Sequence, residues 1–482
     1  MLAAYCDGDA EIESWFAKPW RGAEAWQRHT ASTSPVDRAA LARVLNASLN
    51  ERGAPPASRA AAKRLGTAGV WAVVAGQQPS VGGGPLLSLC KTAHAIALAR
   101  RLEAEGIPAV PVFWCASEDH DHGEADHADL IHRDGRIQRV RTHLPQAGAS
   151  SRFQPVAGWW QELRAALSTL SPQLGHAWWD HHAPEPEETM GRWLCRVFDS
   201  VFAEAGLVSV EAYQLRPLWR ERWADLATTW PHAALQQRRA AISAAGYTPG
   251  LELDTPPVFA DRPEGRTSVA PEEIAQLAAN TPDLLSPGAG LRPVLQQAAL
   301  PCLLACLGPG ELAYHAEIGP VYQALGLRPP LLIPRSGATL IPAWLQRGAA
   351  AWGLEPSELL AQQCPVVATP PPPELAALDA AIADLAATNT GSADQQRRLH
   401  SGAQRLQRER QRLAASLERG RRHAAARPPI GALHAYLRPR GGPQERCMSL
   451  AQALWEFGPG LGMQLVERFA GDDAGKHHLV AL

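Results

Sequence analysis

The chain has 482 residues, more than a single typical domain, so we expect two or three structural units. Hydrophobic residues make up 46% of it, charged residues 20%, and the net charge is −2, which gives no electrostatic reason to expect nucleic acid or a membrane as a partner. Its eight scattered cysteines argue against a disulfide framework or a zinc ribbon. No apolar stretch is long enough to span a bilayer and the N-terminus lacks a basic signal-peptide start, so we expect a reduced, cytoplasmic protein.

Residues 1–69 are Trp-rich with helical spacing, and they predict an N-terminal helical segment. The apolar run Val70–Val74 predicts a buried strand, and the glycine-rich stretch Ala75–Pro85 predicts a turn before a helix. This order places backbone N–H groups at a helix N-terminus, a natural seat for phosphate or carboxylate. The residues assigned to this seat are Gly76, Gln77, Gln78 and Gly84. The turn matches neither a G-x-G-x-x-G fingerprint nor a Walker A loop, so an ordinary tight turn is the alternative.

Lysine is rare in this chain, because only four of the 46 basic residues are lysines. One of them, Lys91, follows the glycine-rich turn closely. An ammonium group is a compact point charge that suits phosphate, so we assign Lys91 to the same seat. The alternative is a lysine that remains there without a special role.

A second strand is predicted over Val110–Trp114, and it ends in a run of carboxylates and imidazoles at residues 118–127. Polar groups at the carboxyl end of such a strand lie where open α/β sheets bind ligands. We therefore predict an active site here, with Glu118, Asp119, His120 and Asp121 as its catalytic candidates. The alternative is an acidic helix start, whose carboxylates only stabilise the first turn.

The pattern loosens over residues 141–283, which we interpret as an inserted connecting region. Apolar strands return at 300–307 and 331–333, the first of them before another glycine turn. The sequence thus predicts an α/β fold with a Rossmann-like parallel sheet, built in two halves over 70–140 and 284–369.

A helical hairpin is predicted over residues 374–426, after a proline run at 370–373 that marks a boundary. Apolar residues at three-four spacing form its first helix, and heptad-like spacing between Leu399 and Leu417 forms the second, with Arg410 as one misfit. Two such helices joined by a short turn predict an antiparallel coiled-coil arm.

The second helix of this hairpin is rich in arginine, with ten of these residues between 397 and 427. They form either the solvated face of a long helix or a rim that holds a polyanion near the core. Residues 427–482 are predicted to return the chain to the core.

Motifs recur along the whole chain: Gly76-Gln-Gln-Pro79, Gly84-Pro-Leu86, Lys91, Pro111-Val-Phe-Trp114, Glu118-Asp-His-Asp121, Leu284-Leu-Ser-Pro287, Leu291-Arg-Pro293, Gly308-Pro-Gly-Glu-Leu-Ala-Tyr314, Ile333-Pro-Arg-Ser336 and Gly441-Gly-Pro-Gln-Glu-Arg446. In this order, from about residue 70 to 446, they resemble the motifs of the bacillithiol biosynthesis cysteine-adding enzymes. The chain departs from the family where His122 stands for an aromatic residue, Asp126 for Asn, and Val81-Gly82 for Leu-Phe.

This resemblance implies a ligase that adds cysteine to the amine of glucosaminyl-malate, the last step of bacillithiol biosynthesis. It also implies a homodimer formed through the coiled-coil arm. We expect ATP to activate the carboxylate, and we assign no metal ligands. For such a reaction the residue chemistry predicts that His120 takes the proton from the amine, and that Asp119 and Asp121 either orient this imidazole or hold the cationic amine. Arg292 and Arg335 are predicted to hold carboxylates. The residues assigned to substrate binding are His127, Arg292, Gly310, Glu311, Tyr314, Arg335, Ser336, Gln444 and Arg446.

Two other classes of protein stay open at this point. Residues 118–127 come close to the H-x-H-x-D-H pattern of metal-dependent hydrolases, but Glu124 and Ala125 break that pattern. The third possibility is a coiled-coil scaffold with an inactive nucleotide-like core. A scaffold has no need for this density of ionisable groups at two strand ends.

Overall fold

The computed structural model describes the helices and strands of the chain over residues 1–31, 35–144, 148–361, 373–388, 392–424, 429–472 and 475–482. The strands are β1 (Trp71–Gln77), β2 (Ala109–Cys115), β3 (His127–Ile131), β4 (Ile137–Arg141), β5 (Val208–Glu211), β6 (Val258–Arg262), β7 (Gly265–Ser268), β8 (Leu285–Pro287), β9 (Cys302–Leu307), β10 (Leu331–Pro334), β11 (Gly337–Ile341) and β12 (His477–Ala481). The helices are α1 (Leu2–Asp7), α2 (Ala10–Glu13), α3 (Ala23–Thr30), α4 (Arg38–Glu51), α5 (Pro56–Leu65), α6 (Leu87–Ala104), α7 (His122–Ala125), α8 (Ala157–Leu167), α9 (His176–His181), α10 (Met190–Val201), α11 (Arg222–Thr229), α12 (His232–Ala244), α13 (Pro271–Asn280), α14 (Arg292–Ala299), α15 (Pro309–Glu317), α16 (Gly319–Ala324), α17 (Ala343–Ala351), α18 (Pro373–Ala387), α19 (Ala393–Ala424), α20 (Ile430–Leu437), α21 (Leu450–Phe457) and α22 (Leu461–Arg468).

The chain divides into two compact units. The core unit contains residues 1–132, 137–340 and 442–480, and the second unit contains 133–136, 341–441 and 481–482. None of the helices in the described ranges is both long and apolar enough to cross a membrane.

The core unit is built on a five-stranded parallel sheet with the strand order β10-β9-β1-β2-β5. The chain starts in the middle with β1, moves outward to β2 and β5, and then returns to the other side with β9 and β10. The strand order therefore reverses between β1 and β9, which is the switch point where open α/β sheets bind ligands. The predicted α/β class with a Rossmann-like parallel sheet is confirmed.

Apolar runs explain these strands, because the sheet is covered on both faces. All seven residues of β2 and all six of β9 are buried. Helix α6 joins β1 to β2 and is buried along most of its length. Strand β5 pairs with β2, so the region predicted as a connection over 141–283 also supplies an edge strand of the sheet.

The two loops that carry the predicted site leave the sheet at the same edge. Strands β1 and β2 run parallel with Gln77 opposite Cys115, so the segments after both strands emerge side by side. The glycine-rich turn follows β1, and residues 118–127 follow β2. This is the arrangement that the two strand–turn units predict.

In the second unit, α18 and α19 pack against each other. Arg410, the misfit in the heptad spacing, donates from Nε and Nη2 to the two carboxylate oxygens of Asp379 at 2.7 and 3.1 Å. The misfit thus marks a charged contact between the two helices. The prolines at 370–372 and residues 425 and 426 lie outside the described residues.

Candidate active site

A cavity of about 650 Å³ lies at the carboxyl ends of β1 and β9. Gly76 and Gln77 reach it from the end of β1, and Leu307 and Gly308 reach it from the end of β9. It therefore occupies the switch point of the sheet. The predicted site residues that line it are Gly76, Gln77, Gln78, Gly84, Lys91, Asp119, His127, Arg292, Gly310, Glu311, Tyr314, Arg335 and Arg446. Those that do not line it are Glu118, His120, Asp121, Ser336 and Gln444.

Lys91 is buried beneath this cavity, and its ammonium group has three acceptors. Its Nζ lies 2.8 Å from the Gly76 carbonyl oxygen, 3.4 Å from Gln77 Oε1 and 2.6 Å from Glu311 Oε2. Since an ammonium has three donors, its capacity is used in full. Lys91 thus ties the end of β1 to the start of α15, and a phosphate group would have to displace one of these partners to reach it.

The N-terminus of α15 is the second polar wall of the cavity. Gly308, Pro309 and Gly310 line the cavity there. Glu311 accepts a hydrogen bond from the Gly308 N–H at 2.8 Å through the same oxygen that binds Lys91. Helix N-termini offer N–H groups and a partial positive charge, so this wall is suited to an anion.

The glycine-rich turn after β1 is packed tightly. Gly82, Gly83 and Gly84 all have φ between 70° and 79°, which favours glycine. The N–H groups of Gly83 and Gly84 donate within the turn, to Ser80 and Val81 carbonyls. A Cβ atom on Gly83 would lie 2.7 Å from a side-chain carbon of Leu450. At these two glycines the backbone closes the turn and allows close packing, which does not favour the predicted phosphate seat there.

Asp119 and Arg292 form an ion pair at the cavity wall, with Nη2 3.0 Å from Oδ2. Burial raises the pKa of Asp119, but the Arg292 guanidinium and the Asp121 amide outweigh it and hold the pKa below its ordinary value. The Nε of Arg292 is buried and has no hydrogen-bond partner among the described residues. The Nε of Arg292 is therefore a donor that no described residue uses.

His120 is held by an arginine from another part of the chain. Arg266, on β7, places Nη1 3.1 Å from His120 Nδ1. Because a guanidinium can only donate, Nδ1 is the acceptor and the proton of the neutral ring lies on Nε2. Burial and then the charge of Arg266 lower the pKa of His120. The general-base role of His120 stays a prediction, and this geometry does not favour it.

Glu118 is fully buried in a network of charges below the site. Arg216 binds both Glu118 and Asp261, with Nε 2.6 Å from Glu118 Oε1 and Nη2 2.6 Å from Asp261 Oδ2. Arg152 reaches the same Asp261 oxygen at 2.8 Å. A buried charge needs such partners, so this geometry gives Glu118 a structural role.

Two more residues of the run 118–127 have local partners. Asp121 is exposed and caps α7, where its Oδ1 accepts from the Glu124 N–H at 3.3 Å. His122 places Nε2 2.8 Å from the Ala149 carbonyl oxygen. Within the described part of the chain, no three His, Cys, Asp or Glu side chains are arranged to hold a metal ion.

The imidazole of His127 does line the cavity. Its Nδ1 lies 2.8 Å from Asp126 Oδ1, and the two side chains are only 19% and 17% exposed. Asp126 also receives Arg141 Nη1 at 3.0 Å. His127 is the imidazole of residues 118–127 that lines the cavity, together with the carboxylates of Asp119 and Glu124.

The motifs Ile333–Ser336 and Gly441–Arg446 contribute only some of their polar residues to the cavity wall. Arg335 lines the cavity and pairs with Glu445 at 2.6 Å. Gln444 is fully buried and exchanges two hydrogen bonds with the Leu340 backbone. Ser336 donates from Oγ to Asp472 at 2.5 Å. Gln444 and Ser336 thus hold strands in place, while Arg335 and the exposed Arg446 face the cavity.

Among the cavity-lining residues that sequence reasoning did not assign to the site are Asp129, His315 and Cys447. Asp129 lies two residues after His127 on β3, so strand alternation could have shown it. Burial lowers the pKa of His315 to about 4, which keeps its ring neutral. No local signal in the sequence marks Cys447.

Comparison with known proteins agrees with this architecture. The family model described as bacillithiol biosynthesis BshC, N-terminal Rossmann-like domain, matches residues 1–259 and 258–336. Three relatives carry the name "Putative cysteine ligase BshC". The relative from Koribacter versatilis is 35% identical over 322 residues, which is 61% of this chain and 59% of the relative. The relative from Solibacter usitatus is 30% identical over 72% of this chain and 69% of its own, and that from Geobacillus thermodenitrificans is 28% identical over 75% and 72%.

The matches thus span between about six and seven tenths of the length of these relatives. The family model covers most of the chain and includes the central sheet and most of the cavity walls. The predicted resemblance is confirmed: the chain belongs to the bacillithiol biosynthesis BshC family.

Proposed function

We propose that this protein is a ligase that joins the carboxyl group of cysteine to the amine of glucosaminyl-malate, with ATP as the activating co-substrate. The names of its relatives support a cysteine ligase. The observation that carries the proposal is the cavity at the switch point, whose volume falls in the range of about 300–1,000 Å³ typical of small-molecule sites. Its walls contain cationic side chains, which suit substrate carboxylates, and carboxylate side chains, which suit substrate amines. Both kinds are needed for a zwitterionic amino acid and an amine-bearing dicarboxylate.

Arginines suit the carboxylates of the sugar substrate. Arg292 keeps a buried Nε without a partner among the described residues, and Arg446 is exposed on the cavity wall. Arginine binds carboxylates through charge-assisted hydrogen bonds that are stronger than neutral ones. The two residues are therefore our candidates to hold the malate part, and Arg335 would join them if Glu445 gave way.

The N-terminus of α15 is our candidate for the phosphates of ATP. Its Gly308 and Gly310 line the cavity without side chains, which leaves room for an anionic group at the helix N-terminus. Lys91 would add its charge only if the phosphates displaced Glu311, its present partner. When bound, ATP would supply a phosphoryl-oxygen leaving group on the cysteine carboxylate, which an amine can then displace.

The hydrolase and scaffold readings lack a supporting observation. His120, His122 and His127 each have a partner outside a shared ligand set: Arg266, the Ala149 carbonyl and Asp126. A scaffold does not explain why Lys91, Arg292 and Asp119 meet at one cavity. We therefore retain the ligase as the single proposed activity.

We also propose that the enzyme is a homodimer formed through the α18–α19 hairpin. Leu399, Leu406 and Leu413 on α19 are only half-buried within one chain. Apolar residues at this spacing are typical of helices that pack against a further helix. A second copy of the hairpin would cover them.

We place the enzyme in the cytoplasm. No cysteine in the described part of the chain is in a disulfide, and Cys6 is a partly exposed thiol. Free, accessible thiols are typical of a reducing compartment, where ATP is also available.

The proposal is tested by incubating the purified protein with ATP, cysteine and glucosaminyl-malate and measuring product by mass. We expect a product whose mass equals cysteine plus glucosaminyl-malate minus water, formed only when ATP is present. A matched reaction without cysteine controls for hydrolysis of ATP alone. If this product were absent when all three substrates are present together, the ligase assignment would be contradicted.

A further inference from the structure

His127, paired with Asp126, differs from His120 in the way its ring nitrogens are used. An ionised carboxylate can only accept hydrogen bonds, so Asp126 Oδ1, 2.8 Å away, receives the proton of His127 Nδ1. In the neutral ring the lone pair therefore lies on Nε2. The opposite holds for His120, where Arg266 occupies Nδ1 and the proton lies on Nε2.

The pair is fixed by the local fold. His127 opens β3 and faces Arg141 across the β3–β4 hairpin. Arg141 binds the second oxygen of Asp126 at 3.0 Å, and the Asp126 carbonyl accepts from the Thr142 N–H at 2.9 Å. Both carboxylate oxygens are thus engaged, and the imidazole is held in one orientation, as catalytic imidazoles require.

Other charged groups share this part of the cavity. Asp129 lies on the same face of β3 but is bound by Arg139 through both oxygens at 2.8 Å. Glu124 and Arg446 are exposed cavity residues, and Arg141 is 57% exposed. Because Asp129 is engaged by arginine, His127 is the group on this wall that is best placed to take a proton.

We propose that His127, oriented by Asp126, is the base that deprotonates the attacking amine; this inference rests on the proposed ligase activity and deepens it. The ammonium group of the sugar substrate gives one proton to Nε2. Its nitrogen then bonds to the cysteine carboxyl carbon, and the bond from that carbon to the activating phosphoryl oxygen breaks. The electron pair leaves on the phosphate-bearing group, and the departing oxygen takes the second proton that the nitrogen loses as the amide forms, so atoms and charges balance. Asp126 is a positioning residue that also stabilises the imidazolium.

The first test separates activation of cysteine from transfer to the amine. Hydroxylamine is already neutral near pH 7 and traps an activated carboxylate as a hydroxamate without needing a base. We expect His127→Gln to lower transfer to glucosaminyl-malate by about 10²–10⁴-fold, and to lower hydroxamate formation far less. Equal losses in the two reactions, or transfer at the wild-type rate, would overturn the proposal. If wild-type protein formed neither product, the ligase function itself would fail before any variant was compared.

The second test uses the sign of a charge. Asp126→Asn keeps an oxygen that can accept from Nδ1 but removes the negative charge. We expect slower transfer, with the acid limb of the pH–rate profile moved to lower pH. Arg141→Met removes a positive charge from the same carboxylate and should move that limb slightly to higher pH, since Arg141 is more than half exposed. A purely structural role predicts no movement of the profile in either variant, and that result would count against the base assignment.

The third test needs no activity. In protein labelled with ¹⁵N-histidine, the signals of His127 are those that disappear in His127→Gln. We expect the neutral ring to carry its proton on Nδ1. A proton on Nε2 in the wild-type protein would overturn the proposal, because the nitrogen left to face the substrate would then be a donor.

Discussion

Lys91 Nζ lies 2.6 Å from Glu311 Oε2, and this ion pair joins the helix after β1 to the helix after β9. The side chains are only 4% and 27% exposed. Glu311 also accepts the Gly308 N–H, so a single carboxylate oxygen closes the first turn of α15 and binds the ammonium. The contact therefore connects the two halves of the sheet at the switch point, directly beneath the cavity.

Breaking this pair should cost stability. We expect Lys91→Met to lower the free energy of unfolding by about 2 kcal/mol, somewhat below the roughly 3–5 kcal/mol of a fully buried pair because Glu311 is partly exposed. Urea unfolding measures the change. The exposed pair Arg64–Glu103 offers a matched control, and Arg64→Gln should cost less than about 1 kcal/mol. Equal costs in the two variants would show that burial does not strengthen the Lys91 contact.

His120 and His127 should differ in their effect on turnover. We expect His120→Asn to lower turnover less than tenfold, because its side-chain oxygen still accepts from Arg266. His127→Gln should fall into the range of about 10²–10⁴-fold typical of a lost base. Steady-state kinetics on folded variants compares them. A loss for His120→Asn as large as that for His127→Gln would restore the base role predicted for His120.

The stability of the protein should fall as pH rises, owing to Glu211 at the end of β5. Burial raises the pKa of this carboxyl group to about 7, against a smaller opposing effect of the Ser117 hydroxyl. The folded state then holds a proton that the unfolded state releases above about pH 4.5, so stability is lost between about pH 4.5 and 7 and stays level above that range.

Replacement of this carboxyl group isolates its contribution. Glu211→Gln should remove that slope and leave the variant more stable than wild type at pH 8, by up to about 3 kcal/mol. Urea unfolding at pH 5 and pH 8 gives the four values required. The raised pKa would be contradicted if the wild-type free energy of unfolding were the same at pH 5 and pH 8, and if wild type and variant differed by the same amount at both pH values.

Gly83 should tolerate no side chain. Its φ is +79°, and an added Cβ would lie 2.7 Å from the fully buried Leu450. Gly106 has a similar φ of +76° but open space around it, so Gly106→Ala should cost only the backbone strain of about 1–2 kcal/mol. We expect Gly83→Ala to cost at least about 1 kcal/mol more, because the core is overpacked as well. Thermal unfolding of the two variants would reveal whether packing adds to strain.

The helical hairpin should control the oligomeric state. Replacing residues 374–426 by a short Gly/Ser linker should convert a dimer into a monomer in sedimentation velocity. Asp379→Asn with Arg410→Gln is a milder variant that removes only the ion pair between α18 and α19. It should leave the dimer in place, because the apolar seam remains. A wild-type monomer at micromolar concentration, unchanged by the deletion, would rule out this role.

The sequence alone determined the sheet and the edge at which the site lies. Short apolar runs bounded by Gly and Pro define β1, β2, β9 and β10, and hydrophobic periodicity is a local property that can be read without a structure. Parallel pairing then places the segments after β1 and β2 at the same edge. For this reason most of the predicted site residues line one cavity.

Long-range packing sets which side chains engage each other in that cavity. Lys91 and Glu311 are 220 residues apart, and His120 and Arg266 are 146 apart, so no local pattern could pair them. Those partners decide where each proton lies. Arg266 occupies Nδ1 of His120, so Nε2 of that neutral ring is a donor, whereas Asp126 accepts from Nδ1 of His127, so the lone pair lies on Nε2. Protonation depends on the groups that packing brings within hydrogen-bond distance, and packing is a property of the whole chain.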